Sequence, residues 1–226
     1  MSAEEHDRSD PGPAPSELLQ RFVHKARNPL ATIRSSAQLV HHLIHPSGEV
    51  AQYLEGILAE VDTLDEALRD LKRLVQPVEP SAELHDVQEL AREAARAVGA
   101  AAREAKVLLE LAGGPQAAVR GPREPLCDAL AELMRNGLES SPPGQTVVVG
   151  WSAEEARQVA IWVEDSCAGI GPEVARRMFQ PFFSTSQRTG LGLSFAQRAA
   201  ALAGGRLDWA NRVPVGCRFT LTLPGR

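Results

Sequence analysis

Aromatic residues are scarce in this chain, 4% of 226, so aliphatic helix packing has to supply most of its core. Cysteine is scarcer still. Cys127, Cys167 and Cys217 are odd in number, widely spaced and form no CxxC pair; they indicate neither a disulfide framework nor a zinc site, and read as buried or half-buried thiols. Positive charge is also in short supply. With 24 Lys and Arg against 29 Asp and Glu, the formal net charge is -5, which argues against a nucleic-acid binder needing a basic face. Charged residues interrupt every apolar stretch before the ~20 residues of a membrane span, and the N-terminus has no apolar signal region. The expectation is a cytoplasmic chain without a membrane span. No internal repeat is present.

What the chain does have is an ordinary globular balance, 43% hydrophobic and 23% charged, enough for a real core. Residues 1–15 combine Pro, Gly, Ser and charge and read as a disordered lead-in. From Ser16 to Ile44 the apolar positions Leu19, Phe22, Ala26, Leu30, Ile33, Ala37, Val40 and Ile44 step by three or four, as one helix face does. HPSG at 45–48 stops that helix, and the period resumes from Val50 to Val75. Two such helices make an antiparallel hairpin over 16–76. With an apolar stripe on each helix and nothing to cover it, pairing two copies into a four-helix bundle is the economical solution. Residues 77–84, with Pro77 and Pro80, read as a linker.

From His85 to Arg226 the pattern is mixed. Helices are expected over 86–104, 122–140 and 193–203. Strands are expected over 106–111, 145–152, 157–165, 206–210 and 217–224. This predicts an α+β two-layer sandwich: one mixed sheet and one helical layer.

Four constellations carry chemistry. His24 sits one helical turn before Asn28 and Pro29; a neutral imidazole nitrogen is a good nucleophile near neutral pH. Glu132 and Asn136 lie four apart, so both project from one helix face. In VEDSCAGIGPE (163–173), Gly169 and Gly171 allow torsions and close approaches that a Cβ resists. In MFQPFFSTSQRTGLGLSFAQR (178–198), Gly190, Leu191, Gly192 and Leu193 open a helix, where backbone amides make an anion site.

Taken together and in this order, FVHKARNPL, ELMRNGLES, VEDSCAGIG, FQPFF and GLGL resemble the phosphoacceptor, asparagine, first glycine, phenylalanine and second glycine boxes of sensor histidine kinases of two-component systems. The resemblance covers nearly the whole chain after residue 15. It implies a dimerisation and phosphotransfer hairpin followed by a Bergerat-fold ATP-binding domain. It implies a histidine autokinase in which His24 accepts the γ-phosphoryl group of ATP and passes it to an aspartate of a response-regulator receiver domain. Asn28 is implied as the water-positioning residue of a regulator phosphatase activity. Asn136, with Glu132, is implied as the Mg²⁺ site, and Glu132 also as a group that activates water or assists the metal. Asp165 is implied as the acceptor of the adenine amine, and residues 184–189, with Thr185 and Arg188, as the lid over the phosphates. Partners implied are a second copy of the chain, the receiver domain and a separate sensor protein.

The sequence departs from the family pattern in three places. Lys25 replaces the acid that usually follows the phosphoacceptor, Cys167 replaces the first glycine of its box, and the lid is short. Two alternatives stay open beside the kinase: a histidine phosphotransferase or scaffold with a degenerate ATP-binding domain, and a nucleotide-gated ATPase module.

Overall fold

The computed structural model describes residues 15–79, 81–154, 157–186 and 188–226; the lead-in expected over 1–15 lies, as far as residue 14, outside the described residues. The chain divides into two compact units between Pro77 and Val78.

The first unit is a pair of helices, α1 (Pro15–Ile44) and α2 (Glu49–Val75). Between them His45 (φ 44°) and Gly48 (φ 61°) adopt the left-handed backbone that ends one helix and starts the next. Arg27 pairs with Asp65 at 2.7 Å, and Arg34 pairs with Asp62. One number rises as the other falls, so the helices run antiparallel. Val23, Ala37 and Val61 are buried, but many apolar residues stay outside, including Phe22, Ile33, Tyr53, Ile57 and Leu64. Val50, Ile57 and Leu64 are exposed and recur at heptad spacing along α2. α1 continues through Pro29, which has no N–H to give to the helix ladder.

The second unit is built from β1 (Leu84–Asp86), α3 (Val87–Ala97), α4 (Gly99–Ala105), β2 (Leu108–Gly113), β3 (Ala118–Arg120), α5 (Arg123–Ser140), β4 (Thr146–Glu154), β5 (Gln158–Glu164), α6 (Pro172–Ala175), α7 (Gly192–Leu202), β6 (Arg206–Asn211) and β7 (Cys217–Pro224). The main sheet runs β2-β4-β5-β7-β6. Its β2–β4 pair is parallel and the others are antiparallel, which makes the sheet mixed. Helices α3, α5 and α7 form the second layer. Leu90 of α3, Leu130, Leu133 and Met134 of α5, and Ala196 and Ala200 of α7 are all but sealed from solvent. They pack with inward side chains of the sheet, Val147, Ile161, Phe219 and Leu221.

Local structure departs from the sequence expectation at three places, the smallest being the one-turn helix α6 (Pro172–Ala175) where only a loop was expected. The helix expected over 86–104 is two helices. Asp86 caps α3, its carboxylate accepting from the Glu89 N–H at 3.0 Å, and Val98 (φ -100°, ψ 3°) breaks the run before Gly99. A second sheet, the antiparallel pair β1–β3, was not foreseen; three-residue strands are too short to show a period. No helix among the described residues is long and apolar enough to cross a membrane.

Candidate functional site

In the hairpin, His24, Lys25 and Asn28 are exposed. His24 and Asn28 share the wall of a cavity of about 330 Å³ with Arg27, Arg34 and Asp65. Arg27 Nε donates to Asp65 Oδ1 at 2.7 Å, and Arg69 approaches the other carboxylate oxygen at 3.2 Å. The hydrogen bond from Arg27, helped by the charges of Arg27, Arg69 and Arg34, holds the Asp65 carboxyl below its usual value. A fixed ion pair thus lies in the same cavity as an imidazole open to solvent.

In the second unit, α5 presents Glu132, Asn136, Glu139 and Ser140 to a cavity of about 290 Å³. The spacing is that of one helix face. Opposite them lie Thr185, Ser186 and Arg188 of the segment before α7, and Gly190, Gly192 and Leu193 at the start of α7. Among the described residues no side chain caps the N-terminus of α7, so its first amides are open to an anion. Ile170, Val174, Met178, Phe183 and Phe219 supply an apolar wall, suited to a flat ring.

Two glycines in this cavity sit at close approaches, one to a side chain and one to backbone. A Cβ on Gly192 would stand 2.8 Å from Glu132 Oε2. Gly190 has φ +69°, and a Cβ there would meet the Phe183 carbonyl oxygen at 2.6 Å. The Gly190 carbonyl accepts from the Phe182 N–H at 3.0 Å, tying the phenylalanine motif to the glycine motif. Glu132, only 3% exposed, accepts from Arg135 Nη1 at 2.8 Å and from Arg188 Nη1 at 3.4 Å.

The cavity therefore brings together seven of the site residues read from the sequence: Glu132, Asn136, Thr185, Arg188, Gly190, Gly192 and Leu193. Asp165, Gly169, Gly171 and Leu191 do not line it. Leu191 is fully buried. Asp165, 2% exposed, lies beside the same helix; a Cβ on Gly137 would be 3.4 Å from its Cβ. Its Oδ1 accepts from the N–H groups of Cys167 (3.0 Å) and Cys217 (2.9 Å). Three residues were missed. Asn211 clamps the glycine loop, accepting from the Ile170 N–H at 2.8 Å and donating to its carbonyl at 3.0 Å, while Glu139 and Arg135 bracket Glu132 and Arg188 electrostatically. Glu139 continues the face of Glu132 and Asn136 by one turn, a spacing that could have revealed it; Asn211 gave no sequence signal.

The donor set suits a magnesium nucleotide. Amide and carboxylate oxygens sit on one helix face, an uncapped helix start and the Arg188 guanidinium face them, and the backbone at Gly190 admits only glycine.

Residues 121–226 match the family described as Histidine kinase-, DNA gyrase B-, and HSP90-like ATPase. Among curated proteins, the signal transduction histidine-protein kinase AtoS of Escherichia coli K12 is 28% identical over 212 residues, 92% of this chain and 34% of AtoS. The sensor histidine kinase ZraS of Escherichia coli O157:H7 is 28% identical over 210 residues, 92% of this chain and 45% of ZraS. Among solved structures, full-length ShkA in complex with AMPPNP is similar in fold, with a TM-score of 0.76 at 23% identity over 94% of this chain and 46% of ShkA. The chain spans about a third to a half of the length of the relatives it matches. Residues 121–226 thus belong to the histidine kinase-, DNA gyrase B- and HSP90-like ATPase family, and the chain as a whole, a helical hairpin followed by an ATPase-type sandwich, is similar over 92% of its residues to relatives named as histidine kinases.

Proposed function

We propose that this chain is a homodimeric histidine autokinase that phosphorylates His24 from ATP and passes the phosphoryl group to an aspartate of a response-regulator receiver domain. The observation that carries this reading is the cavity under α5 and α7, where Asn136, Arg188, Gly190 and Gly192 converge, in a chain whose hairpin exposes His24.

Each residue then has a role. The apolar wall around Ile170 and Met178 receives the adenine, with Asp165 accepting its amine. The amides at the start of α7 and the Arg188 guanidinium bind the phosphates. Asn136, with Glu132 on the same face, would hold Mg²⁺, which when bound supplies charge neutralisation to the phosphates. Thr185 and Arg188 belong to the lid that excludes water. A ring nitrogen of His24 attacks the γ-phosphorus, the bond to the ADP oxygen breaks, and the other ring nitrogen releases its proton. The phosphohistidine then gives its phosphoryl group to a carboxylate of the regulator.

Lys25, a cation next to His24, disfavours the developing imidazolium, so autophosphorylation is slow. Asn28, exposed in the same cavity as His24, would orient water on a docked phosphoaspartate, a phosphatase activity. The exposed stripes of α1 and α2 bury against a second copy. ATP and a receiver domain as reactants put this work in the cytoplasm.

ATP consumption by wild type and His24→Ala separates this reading from an ATPase. The kinase reading expects the variant to bind ATP unchanged and consume none beyond background. Steady turnover by His24→Ala would replace it with the ATPase reading.

A further inference from the structure

Sequence spacing treats the three cysteines as unrelated, but the fold does not. The Sγ atoms of Cys167 and Cys217, fifty residues apart in the chain, lie 3.1 Å apart. That is only about 1 Å beyond the ~2.05 Å of a sulfur–sulfur bond. Cys217 opens β7 and is fully buried, whereas Cys167 is half-buried on the loop that follows β5. Backbone bonds hold the two strand ends in register. The Asp165 N–H donates to the Cys217 carbonyl at 3.0 Å, and the Asp165 carboxylate receives the amides of both cysteines.

Asp165, Cys167 and Cys217 also have their ligand atoms within 4.8 Å of one another, the beginning of a metal site. Two features argue against one. Two thiolates at ~2.3 Å from a tetrahedral zinc ion stand roughly 3.7 Å apart, farther than these sulfurs. A dication would also gather two thiolates and a carboxylate in a largely buried place, leaving net negative charge there. A disulfide forms without burying any charge.

We propose that Cys167 and Cys217 are a reversible oxidation site that closes into an intramolecular disulfide beside Asp165, and that closure weakens nucleotide binding. The disulfide itself stands on the geometry alone; its effect on nucleotide rests on the adenine role proposed above for Asp165. The oxidant is a hydroperoxide. The half-exposed Cys167 sulfur attacks a peroxide oxygen and the O–O bond breaks. The sulfur is oxidised to a sulfenic acid and the peroxide is reduced to water. The Cys217 sulfur then attacks the Cys167 sulfur, the S–O bond breaks, and the hydroxyl leaves as a second water with the Cys217 proton. Two thiols and one hydrogen peroxide thus give one disulfide and two waters. Burial, together with the Asp165 carboxylate, pushes the Cys167 thiol far up, and burial also raises Cys217. Both stay protonated near neutral pH, which makes this a slow reaction.

The test exposes the reduced 226-residue chain to hydrogen peroxide and maps its peptides without reducing agent. The expected product is one chain, lighter by two hydrogens, with the Cys167 peptide joined to the Cys217 peptide and Cys127 still a thiol. A reductant reverses it, and Cys167→Ser does not form it. Cys217→Ala, checked for folding by circular dichroism, gives the same negative result. Calorimetry with Mg-ATP is run in parallel, and oxidation lowers the affinity of wild type by about tenfold or more, within the usual range of coupling between sites. The affinity of Cys167→Ser is insensitive to peroxide. No cross-link, or one through Cys127 or between chains, overturns the site. A correct cross-link with unchanged affinity overturns its effect on nucleotide. A reduced chain that forms the cross-link on oxidation but never binds ATP upholds the thiol site and sinks the nucleotide reading instead.

Discussion

The Arg188 guanidinium stands between two carboxylates of α5, its Nη1 3.4 Å from Glu132 Oε2 and its Nε 3.5 Å from Glu139 Oε1. A residue of the proposed lid is thus held on the helix that carries the proposed metal ligands. Phosphates entering the cavity would compete with Glu132 and Glu139 for that cation.

Replacing this side chain therefore tests the lid. Arg188→Ala weakens Mg-ATP binding by about 1.5–3 kcal/mol, the worth of a hydrogen bond to a charged group. Arg188→Lys keeps the charge and loses the planar fork, so it falls between. Equilibrium titration with Mg-ATP reads both, and an unchanged affinity in Arg188→Ala removes this residue from the phosphate site.

The two glycines of the second box separate in behaviour. At Gly190 an added Cβ meets backbone at 2.6 Å with φ +69°, so Gly190→Ala destabilises the fold by roughly 1–3 kcal/mol. At Gly192 it meets the end of a side chain, Glu132 Oε2, at 2.8 Å. Gly192→Ala pushes that carboxylate aside and costs mainly Mg-ATP affinity. Urea denaturation and calorimetry on both variants check the contrast.

Asp65 makes the hairpin acid-sensitive. Its carboxyl is held below the ordinary 3.8 by Arg27, so the unfolded chain takes up the proton before the folded one does. The stabilisation is complete above the unfolded value and is lost as the pH falls through the folded one. Asp65→Asn is less stable at neutral pH and loses less than wild type on acidification from about pH 5 to about pH 3. Thermal melts followed by circular dichroism show this, and parallel pH profiles for the two proteins would contradict it.

The heptad of exposed apolar residues on α2 is the seam of the proposed dimer. Ile57 and Leu64 are 45% and 44% exposed in the single chain. Ile57→Glu and Leu64→Glu each put an unpaired charge in a helix seam, a change on the order of 3–5 kcal/mol. Sedimentation finds wild type dimeric and both variants monomeric at the same concentration. A monomeric wild type would overturn the bundle.

Much of this architecture was legible because it is written in local periods and stops. The three-four stepping from Leu19 to Ile44, the HPSG break and the alternating runs that became β4, β5 and β7 needed no tertiary information. The break at Val98 and the β1–β3 pair were not legible, since the first is set by one residue's torsions and the second by pairing between distant three-residue segments. In the site, the spacing of Glu132 and Asn136 put them on one helix face, and the resemblance of the surrounding motif gave them their role. The clamp of Asn211 on Ile170, the pairing of Arg188 with Glu132 and the meeting of Cys167 with Cys217 join residues 41, 56 and 50 positions apart. No local pattern encodes them.

The central claim is that the cavity under α5 and α7 supplies the phosphoryl group that His24 receives. Incubation of the purified chain with γ-labelled ATP and Mg²⁺ addresses it directly, comparing wild type with His24→Gln and Asn136→Ala and testing the label for acid lability. The account predicts acid-labile label on wild type and none on either variant. Acid-stable label, label that persists in His24→Gln, or no label on a folded, dimeric, ATP-binding wild type would contradict it.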